Sequence, residues 1–400
     1  MSRATLALAL ACLAWAGAGT AAPPRWSCQV AVKAVDTAYT QAPVTVRVPA
    51  PAGAQSATLR QVGGGEVPCG VEFREGQAEV TWMLDQLPRG AWRRYLLKFG
   101  TAPPPRGGVT LTEGKEGVDI LLDGKLFTRY RVDGPKPYCW PLMGPTGQPI
   151  TRSYPMEQVA GESTDHPHHR SFWFGFGDVN DEDFWSESEE AGKIVHQAFE
   201  GLFSSPVVGR LRARSRWVAA EGKQVCQEVR ELRIYRTGRG RLLDFEVTLL
   251  ATEGPVVMGD TKEGMMAVRV ASSMEVPRGA GHIVNSRGQR DGATWGKQAE
   301  WCDYWGPVAG QTVGIAILEH PESFRHPTYW HVRDYGLFAA NPFGVHDFLG
   351  QPGQPGAYTI PAGGAITFRY RLYLHTGDEQ QAGVADLYQQ YAHPPLVQVH

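Results

Sequence analysis

Val208-Gly-Arg-Leu-Arg-Ala-Arg-Ser-Arg-Trp-Val-Ala219 sets Leu211, Ala213 and Trp217 on one side of an extended chain and Arg212, Arg214 and Arg216 on the other. That period of two marks a strand with one face in a core and one in water. The same alternation returns in Val225 to Tyr235 and in Leu242 to Leu250. Glu221-Gly222 and Gly238-Arg-Gly240 separate the three runs as turns, so the stretch reads as an antiparallel meander. Upstream, Val118-Asp-Ile-Leu-Leu122 and Lys125 to Val132 flank Asp123-Gly124, a two-residue turn whose twist suits a hairpin. Val313–Leu318 and Ile366–Leu374 fit the same style. One helix is expected, from an N-cap at Asp378 to about Tyr391, stopped by His393-Pro-Pro395. So much strand with one late helix implies an all-β chain built around a large antiparallel sandwich.

A length of 400 residues suits two domains, and 42% hydrophobic residues can bury real cores. Residues 23–105 carry short alternating runs such as Val44-Thr-Val-Arg-Val48 and Tyr95-Leu-Leu-Lys-Phe99, the pattern of a small β-sandwich. Thr101-Ala-Pro-Pro-Pro-Arg-Gly-Gly108 reads as a stiff linker, so residues 106–400 form the second, larger domain. With 47 Gly and 29 Pro the chain is rich in turns. The net charge of −2 and the lack of a basic stripe argue against a nucleic-acid partner. Arg3, the apolar run Ala4–Trp15 and the small residues up to Ala22 have the order of a signal peptide at 1–22, so export to the periplasm or beyond is expected. Leu10-Ala11-Cys12 is a faint lipoprotein pattern after too short an apolar run. No stretch is long and apolar enough for a transmembrane helix. Beyond the leader lie Cys28, Cys69, Cys139, Cys226 and Cys302, with no CxxC pair. A Cys28–Cys69 bridge and buried free thiols both stay open.

The chemistry concentrates in Asp165-His-Pro-His-His-Arg-Ser-Phe-Trp-Phe-Gly-Phe-Gly-Asp-Val-Asn-Asp-Glu-Asp-Phe-Trp185. Pro167 keeps His166, His168 and His169 out of a helix; in an extended segment His166 and His168 point one way and His169 the other. Imidazoles so placed can bind a metal, hold a proton near neutral pH or bond a sugar hydroxyl. Arg170, Asp178, Asn180, Trp173 and Trp185 belong to the same group. The plain alternative is a polar loop whose histidines satisfy backbone groups. A second cluster, Arg325-His-Pro-Thr-Tyr-Trp-His-Val-Arg-Asp-Tyr-Gly336, brings Trp330, His331, Arg333 and Asp334, followed by Asn341; His331, Arg333 and Tyr335 share a strand face. Asp260-Thr-Lys-Glu-Gly264 is either a salt-bridged turn or the source of Glu263 as a general base with Lys262 beside it. Arg290 lies in a fourth polar group with Asn285, Arg287, Asp291 and Trp295. There is no GxGxxG after a strand, no phosphate-cradling loop and no GxSxG elbow, so no cofactor is expected.

These motifs, together with Thr151-Arg-Ser-Tyr-Pro-Met156, Val284-Asn-Ser and the run through Asn341-Pro-Phe-Gly344, resemble the uncharacterised secreted bacterial family labelled PmoA-like, over about residues 110–375. Methane oxidation is set aside, because the methane monooxygenase subunit is an integral membrane protein and no spanning helix is expected here. The family is similar in style to the galactose mutarotase-like supersandwich proteins, which move protons on sugars with His and carboxylates. That similarity is at the level of fold.

The residues and the resemblance together imply a secreted enzyme with a carbohydrate substrate, a hydrolase, lyase or epimerase. His168 or His169 would be the acid, Glu263 or Asp178 the base, with His331 in the same centre, and Arg170 or Arg333 would steady developing charge. Arg170, Trp173, Asn180, Trp185, Lys262, Arg290, Trp330, Arg333, Asp334 and Asn341 would contact the sugar. One alternative is a metal-dependent oxidase or lyase ligated by His166, His168, His331 and a carboxylate. The other is a non-catalytic glycan-binding module.

Overall fold

The computed structural model describes residues 26–278, 280–350 and 355–400. The leader read at 1–22 lies outside them. The fold is all-β and consists of two sandwiches. In the first, Ser27–Lys33, Trp92–Gly100, Ser56–Gln61 and Glu66–Val67 share a sheet, and Tyr39–Pro49, Gln77–Leu87 and Cys69–Arg74 form the facing one. Val30, Val44, Val80, Trp82, Tyr95 and Leu97 fill the space between. The last strand, Leu396–Val399, which a linear division puts in the second domain, pairs antiparallel with Ser27–Lys33. A four-residue strand with mostly exposed side chains carries no local mark of a partner more than 300 residues away. Ion pairs Arg210–Glu72 and Arg233–Glu79 link the two units.

The second sandwich packs two eight-stranded antiparallel sheets. The meander at its centre runs through Val208–Val218, Gln224–Tyr235 and Arg241–Leu250, continued by Ala365–Thr376. The facing sheet is ordered Tyr329–Val332, Leu337–Asn341, Gly264–Arg269, Phe172–Phe176, Tyr138–Leu142, Lys125–Arg131, Gly117–Leu122, Val109–Gly114. Asp123 and Gly124 both take positive φ (50° and 76°) between the hairpin strands Gly117–Leu122 and Lys125–Arg131, as a primed two-residue turn requires. All five described cysteines are free thiols. The late helix is present but broken. Asp378 caps Glu379–Ala382 in a capping box with Gln381, and Gly383, left-handed at φ 66°, separates it from Val384–Ala392. A further short helix spans Val345–Leu349.

Alternation decides where the site lies. Phe172, Phe174 and Phe176 point between the sheets, where Phe174 meets Trp217, Phe245 and Phe368. Trp173, between them, points out. Its cross-strand partners on that outer face are Ala267, then Ala339, then His331. Two alanines between large rings leave room above the sheet, and Trp185 and Tyr335 from neighbouring loops pack into it.

Phe174→Ala would empty a fully buried ring position between the sheets. It is expected to cost about 3–5 kcal/mol of stability, read from the urea unfolding midpoint at unchanged slope; a loss under about 1 kcal/mol would show that the sheets repack freely.

Candidate active site

On this outer face lies a pocket of ≈ 480 Å³ lined by His166, His168, His169, Gly177, Asp183, Trp185, Ser186, Lys262, Glu263, His331, Arg333 and Tyr335. Three segments far apart in sequence therefore meet. The histidine run is a turn rather than an extended strand: His169 N–H donates to the His166 carbonyl at 3.0 Å, with Pro167 in the position a turn favours. All three imidazoles consequently face one place instead of alternating. His166 stacks on His169 (4.7 Å between ring centres) and on Tyr335 (5.2 Å), His169 stacks on Trp173 (5.1 Å), and His168 sits edge-on to both other imidazoles.

Below the turn, Asp165 accepts from Arg152 and from Arg269 (2.7 Å), two guanidiniums with no solvent exposure. Burial, first, and the neighbouring Arg269 push Arg152 down to about 10. Arg269 also reaches His169 Nδ1 at 3.2 Å. A guanidinium can only donate, so Nδ1 is the acceptor and the proton of neutral His169 sits on Nε2. His331 is set the other way. Its Nδ1 lies 2.7 Å from the Lys262 carbonyl, which can only accept, so Nδ1 carries the proton and Nε2 keeps its lone pair. Burial, then positive neighbours, hold all three inner histidines neutral: His168 and His331 fall to about 4 and His169 well below its usual value. The pocket thus presents two imidazoles of opposite, fixed polarity.

Lys262 and Glu263 form an ion pair at 3.1 Å with both side chains part-exposed. Their loop is held by Asp347, which accepts from Lys262 N–H, and by Asn341, which donates to the Thr261 carbonyl. Arg333 lies over the Trp295 and Tyr335 rings (5.6 and 5.7 Å). Asp183 lines the pocket but accepts from Trp185 N–H, Ser186 N–H and the Ser186 hydroxyl. Trp185 is nearly buried, and its Nε1–H makes no hydrogen bond among the described residues.

The structure brings His168, His169, Glu263, His331, Trp185, Lys262 and Arg333 together, and it sets the other expected residues elsewhere. Arg170 is clamped by Glu187 (Nη2 at 2.7 Å), which also takes buried Lys136, so it is spoken for inside the fold. Trp173 is one layer behind His169. Asp178 and Asn180 close a surface turn, bonding Asp181 N–H and Val257 N–H. Trp330 is a core ring whose Nε1–H goes to the Ala299 carbonyl. Asn341 is fully buried as the loop brace. Arg290 pairs with Glu379 at 2.9 Å, and Asp334 lies off the pocket beside Gly292. Local sequence shows polarity, but a residue's facing depends on turns and partners formed elsewhere. Arg152, Asp165 and Arg269 are the candidate site residues that reading of individual positions passed over; Arg152 and Asp165 stand inside the quoted motifs, whereas Arg269 sits in an apolar strand with no local signal, and Tyr335, placed on a face with His331 and Arg333, has no role assigned by that reading. Among the described residues no three His, Cys, Asp or Glu side chains converge as a metal-holding group, so the ligand set His166, His168 and His331 with a carboxylate is not assembled.

A family model described as a family of unknown function, DUF6807, matches residues 117–389. The chain belongs to that family. The DUF6807 region contains every residue that lines the pocket, and the first sandwich lies outside it. No curated protein matches the sequence. Among solved structures, the chain is similar to an alpha-mannosidase from Enterococcus faecalis V583 at 11% identity and TM-score 0.45, with 94% of this chain and 46% of that one covered. It thus spans less than half the mannosidase's length. It is also similar to a galactose mutarotase-like protein from Lactobacillus casei ATCC 334 at 9% identity and TM-score 0.28, covering 67% of this chain and all of that one. At these levels neither similarity bears on substrate or reaction.

Because His168 and His331 have folded-state values near 4 against an ordinary 6.5, the unfolded chain takes up protons first as pH falls. Their contribution is nil above about pH 6.5 and becomes increasingly destabilising down to about pH 4. Melting temperature should therefore drop across that window, and His331→Gln should flatten the drop relative to wild type at matched ionic strength. Parallel curves for the two proteins would show that His331 is not held neutral by the fold.

Proposed function

We propose that the DUF6807 pocket is the active centre of an exported enzyme that moves protons on a carbohydrate. One observation carries this reading: a single carboxylate not consumed by the fold, Glu263, shares a pocket with neutral imidazoles whose polarity is fixed in opposite senses. Glu263, beside the Lys262 ammonium, is the proton acceptor. His169 offers an Nε2–H to an oxygen that gains charge, the role a neutral imidazole fills when its protonated form is suppressed. His331 Nε2 accepts from a hydroxyl, and the edges of Trp185 and Tyr335 that line the pocket give it an apolar wall. The second lining carboxylate, Asp183, is occupied by a turn, so the two-carboxylate scheme of glycoside hydrolysis has less support than an isomerase or lyase that abstracts a C–H proton. A non-catalytic glycan-binding module would not call for Glu263 or for imidazoles of fixed polarity. The PmoA-like resemblance is kept as a label, without methane chemistry.

The test is a screen of plant and algal oligosaccharides in deuterium oxide, scored by mass spectrometry and NMR for deuterium uptake or new products. Wild type is expected to turn over at least one, and Glu263→Gln to lower kcat by about 10²–10⁴-fold at retained binding. Turnover that survives Glu263→Gln, or a panel on which nothing binds or reacts, removes the reading.

A further inference from the structure

The charges around the pocket are paired in an uneven way. Asp165 is shared by two arginines, Arg152 and Arg269. Glu187 is shared by Lys136 and Arg170. Glu263 is matched by Lys262, and Asp183 by backbone and hydroxyl donors. Arg333 is the lining cation that, among the described residues, has no carboxylate partner; its sequence neighbour Asp334 is not paired with it and lies beside Gly292. The guanidinium is nevertheless not free to wander, since the Trp295 and Tyr335 rings lie against it. Stacking of this kind orders the side chain in advance and leaves its planar fork of N–H donors for an anion. Arg333 is an exposed guanidinium on the pocket wall, fixed by two rings and with its donors turned to no carboxylate among the described residues.

We propose that the substrate is a sugar acid, a pyranose whose carboxylate is bound by Arg333. The inference rests on the proton-transfer reading above and narrows it. A planar carboxylate matches the guanidinium fork with two parallel hydrogen bonds. The two functions also fit each other chemically. The carbon next to a carboxylate bears the sugar's most removable C–H proton once the carboxylate charge is offset by a cation. Glu263 takes that proton, and the C–H electron pair moves into the carboxylate held at Arg333. The pair then returns either to a proton on the opposite face, giving an epimer, or to the neighbouring carbon as its C–O bond breaks, giving an unsaturated sugar and an alcohol that takes up a proton. Neither route needs an oxidant or another reactant. Burial, first, depresses His331 and His169, and Arg333 and Arg269 add to it in the same sense.

Matched pairs decide it. Uronate oligosaccharides from alginate, pectin and glucuronan, and the same materials with their carboxyl groups reduced to alcohols, are titrated calorimetrically into the full-length protein at two salt concentrations; a sulfated and desulfated pair is run alongside. At least one uronate is expected to bind about tenfold or more tighter than its reduced counterpart. The preference should weaken with salt, collapse to a ratio near one in Arg333→Gln and be partly restored in Arg333→Lys. Equal binding of acid and reduced forms, a preference for the sulfated pair alone, or an unchanged ratio in Arg333→Gln overturns the sugar-acid inference while leaving a carbohydrate enzyme standing. No binding by any member, charged or neutral, overturns the carbohydrate reading and this inference with it.

Discussion

Asp165 held between two arginines that never touch water is the contact on which the site depends. A guanidinium buried without a partner is costly, because its hydration is lost and nothing replaces it. Arg152 and Arg269 come from different parts of the second domain, and Asp165 answers both. Pulling the histidine turn off the sheet would take the carboxylate from both cations at once, leaving Arg269, among the described residues, only the longer contact to Glu275 at 3.5 Å. The same pair reaches upward as well: Arg152 also donates to the His166 carbonyl at 2.9 Å, and Arg269 sets the tautomer of His169. One carboxylate thereby positions the turn, the ring stack and the direction of a proton.

The fold repeats the device on the other side, where Glu187 answers Lys136 and Arg170 and Lys136 donates to the Trp185 carbonyl at 2.7 Å. Between these two braces the sheet contributes little more than Ala267 and Ala339. Small residues at the middle of the row matter as much as the large ones at its ends, since any longer side chain there would occupy the space that the Trp185 and Tyr335 rings now fill. A rigid sheet therefore sets the spacing and carries His331, and loops carry the other polar groups of the pocket, the usual division of labour in β scaffolds.

This arrangement explains why His168, His169 and His331 are held toward the neutral form. Near neutral pH an exposed imidazole would be partly protonated and free to choose its tautomer. Here burial and nearby cations suppress the charged form, and donors or acceptors that cannot reverse roles fix the tautomer. The cations that add to this effect of burial would also favour an anion in the pocket, which is the electrostatic link between the neutral imidazoles and the sugar-acid proposal.

The all-β class, the central meander, the Asp123-Gly124 hairpin and the late capped helix follow from periods and caps, which are local properties of the chain. Alternation also put His331, Arg333 and Tyr335 on one strand face, but the strand Tyr329–Val332 ends before Arg333, and it is the turn after it that brings Arg333 and Tyr335 to the pocket. Sequence alone also marked the histidine run as a polar, aromatic-rich loop and Lys262-Glu263 as a salt-bridged turn or a source of a general base. It could not show that Pro167 makes a turn that gathers three imidazoles, that Arg269 inside an apolar strand would face them, or that Arg170, Asp178, Asn341 and Trp330 serve the scaffold. Those outcomes depend on which strands lie side by side and on which buried charges find partners. Such pairings join residues up to hundreds of positions apart, and their energies exist only once the chain has closed around them.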